Sequence, residues 1–270
     1  LEHDYIRQRF DPPEGQARLS STAISQRFTD SLHAFYGGEV GALLGNKRLR
    51  LHVMTSRGHG ILRRDNAWRT PLGYAAAYVS NMVARRALGG FLERVVFSTS
   101  DKLPFTTDDI QTTRCHLNDV NFFQALQASC AIPFVLDAVH DVPGGPLGAY
   151  WDGGITDYHL HLRYQVPETG VVLYPHFQKE VIPGWLDKAI KYRHRYTDAL
   201  SQMVVLAPNP EWVQTLPNGK LPDRKDFSTY GQDLQSRVKV WQAAVSASEQ
   251  MAEEFATWLR QPQMSKVQDL

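Results

Sequence analysis

One short segment, YWDGGITDY at Tyr150–Tyr158, places a carboxylate where it could act as a general base. Two aromatic residues can end a strand there, which leaves Asp152 at the strand tip with Gly153 and Gly154 behind it. Because glycine lacks a Cβ atom, it permits positive φ angles and the close approach of another backbone or a substrate. Asp-Gly is also a favoured dipeptide of tight turns, so the segment on its own is more typical of a simple turn.

A second segment, ASCAIPFVL at Ala128–Leu136, lies shortly before the first one. A helix that ends in small residues and Ile132-Pro133, followed by Asp-Gly-Gly, resembles the patatin-like serine acyl hydrolase (phospholipase) family. In that family an ASxAxP-type segment precedes a D-G-G/A motif. The later runs VVLYPHF and PDRKDF resemble a bacterial branch of the same family.

The resemblance implies a function, a site and a fold. It implies that Asp152 is the general base of a Ser–Asp dyad, taking the proton directly from the serine hydroxyl, while Gly153 and Gly154 shape the turn. The implied reaction is hydrolysis of a lipid or ester substrate, with neither a cofactor nor a metal. The implied fold is α/β, a three-layer helix–sheet–helix arrangement with a mostly parallel central sheet.

The nucleophile of such a dyad is missing from this sequence. Patatin-like proteins carry the serine in G-x-S-x-G, N-terminal to the region that is matched here, and the 270 residues contain no such segment. The opening LEHDYIRQRF also reads like the interior of a helix. We therefore expect residues 1–270 to form a single patatin-like domain that is incomplete at its N-terminus and inactive by itself.

Other residues near the motifs fit the role of nucleophile less well. Ser129 lacks the elbow glycines and falls at a predicted helix end, where packing or capping explains it better. Cys130 is expected to be a small buried apolar residue. Cys115 lies beside His116 in the sequence, but sequence neighbours rarely form a working nucleophile–base pair.

Two alternative functions remain open at this stage. Asp157, His159 and His161 would share one face of a strand, and such a set could bind the metal of a metal-dependent hydrolase. The other reading of these three residues is ordinary hydrogen bonding at a strand end. Alternatively, the chain is a non-catalytic lipid- or protein-binding relative that kept the scaffold and lost the nucleophile.

Composition excludes several classes of protein. The net charge of +1 and pI near 8.0 predict no general attraction to nucleic acid or to acidic membranes. Local basic clusters, such as Arg63-Arg64 and Arg85-Arg86, could still help to hold anionic headgroups, so peripheral membrane contact is possible. Two cysteines argue against a disulfide scaffold and favour a reducing, cytoplasmic compartment. No apolar run is long enough for a membrane span.

Helices and strands alternate along the sequence, which indicates an α/β layered sheet. The apolar periodicity predicts helices at 24–35, 70–89, 119–132 and 234–259. Strands are predicted at 49–55, 95–97, 171–174 and 203–207.

Four of these elements carry sharper expectations. The helix that starts at Thr70-Pro71 carries Leu72, Ala75, Val79, Met82 and Val83 on one side. The valine-rich runs at 171–174 and 203–207 are typical of central parallel strands covered on both faces. The last helix carries an apolar side that predicts docking along its length.

Overall fold

The computed structural model describes residues 6–8 and 19–270 of the chain. These residues divide into two compact units. The larger unit comprises Ser20–Val172 and Glu180–Met203, and the smaller one comprises Leu173–Lys179, Val204–Leu270 and described residues near the N-terminus. The single domain at 1–270 stays a prediction, because compactness does not test whether a unit folds by itself.

The larger unit is an α/β structure built on a five-stranded sheet. Its strands are β1 (His52–Gly58), β2 (Leu92–Ser98), β3 (Thr112–His116), β4 (Val139–His140) and β5 (Ala149–Asp152). Its helices are α1 (Ser21–Tyr36), α2 (Val40–Leu44), α3 (Arg69–Val83), α4 (Phe122–Ser129) and α5 (Gly154–Asp157).

The sheet is mixed. The strand order is β3-β2-β1-β5-β4, in which β2 and β3 are parallel and every other neighbouring pair is antiparallel. The expectation of an α/β fold is confirmed for the described residues, whereas the mostly parallel sheet is not confirmed. The reason lies in the connection from β1 to β2, which contains α3 and yet returns the chain antiparallel to β1.

Helices cover both faces of β5, where the predicted site lies. Successive strand residues point to opposite faces, so Tyr150 and Trp151 enter different hydrophobic clusters. Trp151 packs with residues of α3, and Tyr150 packs with residues of α4. On the far side of β1, strand β2 is buried at all seven positions. The end of β5 is therefore fixed by packing on two sides.

The predicted helix at Thr70-Pro71 exists as α3, but its apolar side faces outward. The buried residues of α3 are Thr70, Gly73, Tyr74, Ala77 and Asn81. Leu72, Val79, Met82 and Val83 are all exposed. The helix also ends at Val83, and a 3-10 turn at Arg85–Gly90 carries the chain to β2. The periodicity correctly predicts which side chains share one side of the helix. The opposite side of the helix, however, is the one buried in the core.

The valine-rich runs form strands with a different environment from the predicted one. They are β6 (Val172–Pro175) and β7 (Met203–Leu206), which make a separate two-stranded sheet. Val172 N–H donates to the Gln202 carbonyl and His176 N–H to that of Leu206, so the two strands run parallel. Leu173 and Val204 are exposed, so the prediction of central strands covered on both faces is wrong.

The smaller unit contains α6 (Pro210–Thr215), α7 (Lys225–Tyr230) and α8 (Leu234–Arg260). Docking of α8 is confirmed for its first half, where Val238 and Trp241 are buried and the Trp241 indole donates to Asp226. Leu259 in the second half is exposed. Among the described residues, no helix combines the length and apolarity required to cross a bilayer.

Candidate active site

Asp152 is the last residue of β5, at the strand tip that the sequence predicts. It lies opposite Thr55 of β1 in the sheet and is half-buried. Its backbone N–H donates a 3.0 Å hydrogen bond to the carbonyl of Ala131. That bond joins the ASCAIPFVL segment to the DGG segment, so the two motifs that carry the family resemblance lie side by side.

The carboxylate of Asp152 is oriented by the turn that follows it. The Gly154 N–H donates to Oδ1 at 2.7 Å, which holds that oxygen over the start of α5. A hydrogen bond from a backbone N–H favours the ionised form of a carboxylate. The turn therefore presents a fixed proton acceptor at the end of a packed strand.

The two glycines serve the turn through close approach and not through positive φ. Gly153 has a φ of −61°, and Gly154 is not among the positive-φ residues. A Cβ on Gly153 would collide with the backbone carbonyl of Met54 on β1. A Cβ on Gly154 would lie 2.9 Å from Oδ1 of Asp152. The first glycine lets the turn sit against the sheet, and the second leaves room for the carboxylate.

This difference predicts losses of stability of different size for two alanine variants. Gly153→Ala is expected to lower the free energy of unfolding by about 1–3 kcal/mol, because the Met54 carbonyl is backbone and cannot move aside cheaply. Gly154→Ala is expected to cost less, because the Asp152 side chain can rotate away. Urea denaturation measures both, with Gly89→Ala as the matched control, since a Cβ there meets nothing within 4 Å. Equal losses in all three variants would contradict the assignment.

Tyr74 on α3 is a site residue that the sequence reasoning missed. Its ring packs edge-on against Trp151, with centroids 5.6 Å apart, and only 4 % of the residue is exposed. Its hydroxyl is buried and has no hydrogen-bond partner among the residues that the structure describes. Burial, with the charges of Asp65 and Asp152, raises the pKa of Tyr74 well above its usual value. The hydroxyl is thus a protonated, unused donor near the candidate base.

The cysteines do not supply a nucleophile. Cys130 is exposed as a residue, contrary to the prediction that it is buried, and both cysteines are free thiols. Although the residue is exposed, its thiol is partly shielded from water. This burial, together with the charge of Asp152, raises the pKa of Cys130 to about 11. Burial likewise raises the pKa of Cys115. A thiol with a raised pKa holds little thiolate at neutral pH, and thiolate is the reactive form. Ser129 is the last residue of α4, as expected for a helix end.

A buried ion-pair network fixes the short helix α5 just beyond the turn. Arg94 on β2 donates to both oxygens of Asp157, at 2.7 and 2.6 Å, and also to both oxygens of Asp109. The Thr156 hydroxyl donates to Asp157 and is hydrogen-bonded to the Ser56 hydroxyl. Adjacent charged residues, Glu93 and Arg94, within the hydrophobic strand LERVVFS are the sequence signal that could have revealed this network.

The charge on Arg94 is secured by its partners. Burial of the guanidinium opposes its charge, but Asp157 and Asp109 outweigh burial and raise the pKa of Arg94 above its usual value. The Arg94 side chain is fully buried and that of Asp157 is almost so. Water has no access to the Arg94–Asp157 pair at this depth, so this pair acts as a fixed support for α5.

The set Asp157, His159 and His161 does not share a strand face, so that prediction is wrong. Asp157 ends α5 and binds Arg94. Both ring nitrogens of His161 form hydrogen bonds. Nδ1 is 2.9 Å from the Val181 carbonyl oxygen, and Nε2 is 2.6 Å from the Thr197 hydroxyl. His159 Nδ1 lies against the backbone of 180–182. In the part of the chain that the structure describes, no group of three or more metal-ligating side chains occurs.

The arrangement has the parts of a general-base site. A half-buried carboxylate stands at a strand end, a backbone N–H orients it, and a network beneath it holds the following helix. A base so placed can take a proton from a hydroxyl within hydrogen-bond reach. The chain matches no family model, no curated protein and no solved structure.

Proposed function

We propose that the chain carries the general base of a lipid acyl-ester hydrolase, and that Asp152 is this base. The hydrogen bond from Asp152 N–H to the Ala131 carbonyl supports the proposal most directly. It brings together the two segments whose pairing resembles the patatin-like family. The half-buried position of Asp152 and the Gly154 N–H on its carboxylate add support.

The proposed reaction is acyl transfer through a serine. The serine oxygen forms a bond to the carbonyl carbon of the ester while its proton passes to the Asp152 carboxylate. The tetrahedral intermediate then expels the alcohol, which leaves with that proton. Water then attacks the carbonyl carbon of the acyl-enzyme, while Asp152 takes a proton from the water. The bond to the serine oxygen breaks, the serine regains that proton, and the fatty acid is released. No cofactor or metal enters either step.

The proposal assigns the nucleophile to a serine outside this sequence, because G-x-S-x-G does not occur within it. It also includes the helix–sheet–helix arrangement with a mostly parallel sheet. The edge strand β3, already parallel to β2, is where further parallel strands would join. The 270-residue chain by itself is then expected to be inactive.

Covalent labelling tests the proposal. The gene is read upstream of the Leu1 codon, and the complete product is treated with a fluorophosphonate probe that reacts with activated serines. Mass spectrometry then locates the label. The expected result is one labelled serine within an upstream G-x-S-x-G and no label in residues 1–270. Label on Ser129 or Ser56, or no label on a folded product, would overturn the proposal.

A second candidate function, a non-catalytic lipid- or protein-binding relative, is favoured by the missing nucleophile segment. A genuine start codon at the position of Leu1 and an unlabelled product would support that candidate. The metal-dependent alternative has no such support, because protein groups occupy both ring nitrogens of His161.

A further inference from the structure

The outer side of α3 is an exposed apolar surface. Large apolar side chains lie three and four residues apart along it, which places them on one side of the helix. Leu72 is 63 % exposed and Val83 is 84 % exposed, and Trp68, immediately before the helix, is 86 % exposed. Val79 and Met82 complete the row. We call these five residues, Trp68, Leu72, Val79, Met82 and Val83, the α3 outer face.

The inner side of α3 is held so firmly that the helix cannot turn to bury its outer face. Gly73 lies against the Leu62 side chain, where a Cβ would stand 2.5 Å from Cδ2. Asn81 donates to Asp187 at 2.8 Å and accepts from Arg193 at 3.0 Å. Asp187 is fully buried and also binds Arg85. The outward orientation of the apolar row is therefore built into the fold.

The charged side chains of the segment 66–92, which contains α3, are all of one sign. No aspartate or glutamate occurs between Asp65 and Glu93, a segment that contains Arg69, Arg85 and Arg86. Arg85 points inward to Asp187, whereas Arg69 and Arg86 are exposed near the two ends of the helix. Arg63, just before this segment, is exposed as well. The outer face is thus an apolar strip flanked by cations, within a segment that carries no acidic residue.

We infer that the α3 outer face docks on an anionic lipid bilayer, with the helix lying flat in the interface. An apolar strip with tryptophan at its edge and arginines beside it is the composition of interfacial helices. Apolar side chains enter the acyl boundary while arginines pair with acidic headgroups. The one-signed charge favours an anionic surface over a second copy of this chain, whose matching face would bring arginines together.

Docking would also bring the candidate base to the membrane. Tyr74 projects from the inner side of α3 onto Trp151, the residue before Asp152. The end of β5 therefore lies on the side of α3 that is opposite the proposed bilayer surface. The inference goes beyond the proposed function, because vesicle binding requires no chemistry and can be measured where no hydrolysis occurs.

Vesicle flotation of the full chain tests the inference. Phosphatidylcholine vesicles are compared with vesicles that also contain phosphatidylglycerol, and binding is expected only to the latter and to weaken as salt is added. The double variant Leu72→Ser/Val79→Ser is expected to bind these vesicles at least about tenfold more weakly than the parent chain. Arg69→Glu/Arg86→Glu is expected to lose a comparable factor.

The matched control is Leu49→Ser/Val120→Ser, which removes two apolar side chains of similar exposure, each 68 %, from other parts of the same unit. It is expected to bind like the parent chain. Equal binding by the Leu72/Val79 variant, or no binding by the parent, would overturn the inference. So would self-association of the parent, seen by sedimentation and abolished by Leu72→Ser/Val79→Ser, since that assigns the face to a second copy.

Discussion

Asp152→Asn is expected to lower kcat for ester hydrolysis by about 10³-fold in a protein that also contains the nucleophilic serine. Asparagine keeps the size of the side chain and can still accept the Gly154 N–H, so the turn should persist. It cannot accept a proton at neutral pH, so the serine loses its base. Hydrolysis of p-nitrophenyl butyrate measures kcat and KM, and KM is expected to change little.

The matched control is Asp101→Asn, which neutralises an almost fully exposed carboxylate in the same unit. Its kcat and thermal midpoint should equal those of the parent protein. Asp152→Asn should also retain the parent midpoint, which separates loss of chemistry from loss of fold. A kcat within a few-fold of the parent would remove Asp152 from the mechanism, even if the labelling experiment found an upstream serine.

Local features of the chain were predictable because local chemistry decides them. The glycines after Tyr36 end α1, the valine-rich stretch of β2 is a strand, and Asp152 ends a strand before two glycines. Each outcome depends on a few neighbouring residues whose backbone preferences agree. The same holds for the family resemblance, because each of its two motifs, ASCAIPFVL and YWDGGITDY, is a short run of consecutive residues that can be recognised without the fold.

The orientation of α3 was not predictable from its periodicity. A repeat of apolar residues shows which side chains share a side of a helix, but the rest of the fold decides which side is buried. Here the side chain of Asn81 hydrogen-bonds to Asp187 and Arg193. Gly73 packs closely against the side chain of Leu62. Those partners are distant in sequence, so the pattern around Leu72 could not reveal them.

The exposure of the two valine-rich strands was not predictable for a similar reason. A short valine-rich run fits a covered central strand and a small exposed pair equally well, and β6 and β7 form the latter. Likewise, nothing local to Asp157 shows that its partner is Arg94, which is 63 residues away. The metal set of Asp157 and the following histidines requires a strand, and the described residues 158–161 form none.

Arg94→Leu is expected to reduce the free energy of unfolding by about 3–5 kcal/mol, measured by urea denaturation. The substitution leaves the nearly fully buried Asp157 carboxylate without its cation, although the Thr156 hydroxyl still donates to it. Burial raises the pKa of Asp109, but hydrogen bonds and the charge of Arg94 lower it by more. That contribution exists above the unfolded pKa of about 3.9 and fades as pH falls below it, so the variant should lose this acid dependence.

Arg114→Leu is the matched control, because it removes an arginine from the adjacent strand β3 whose partner, Asp101, is exposed. That loss should be no more than about 0.5 kcal/mol. Adding Asp157→Leu to Arg94→Leu should restore part of the stability, because the almost fully buried charge of Asp157 is then removed as well. Equal losses for the two arginine variants would mean that the network does not hold α5. The turn that orients Asp152 leads directly into α5, so its fixed geometry would then need another source.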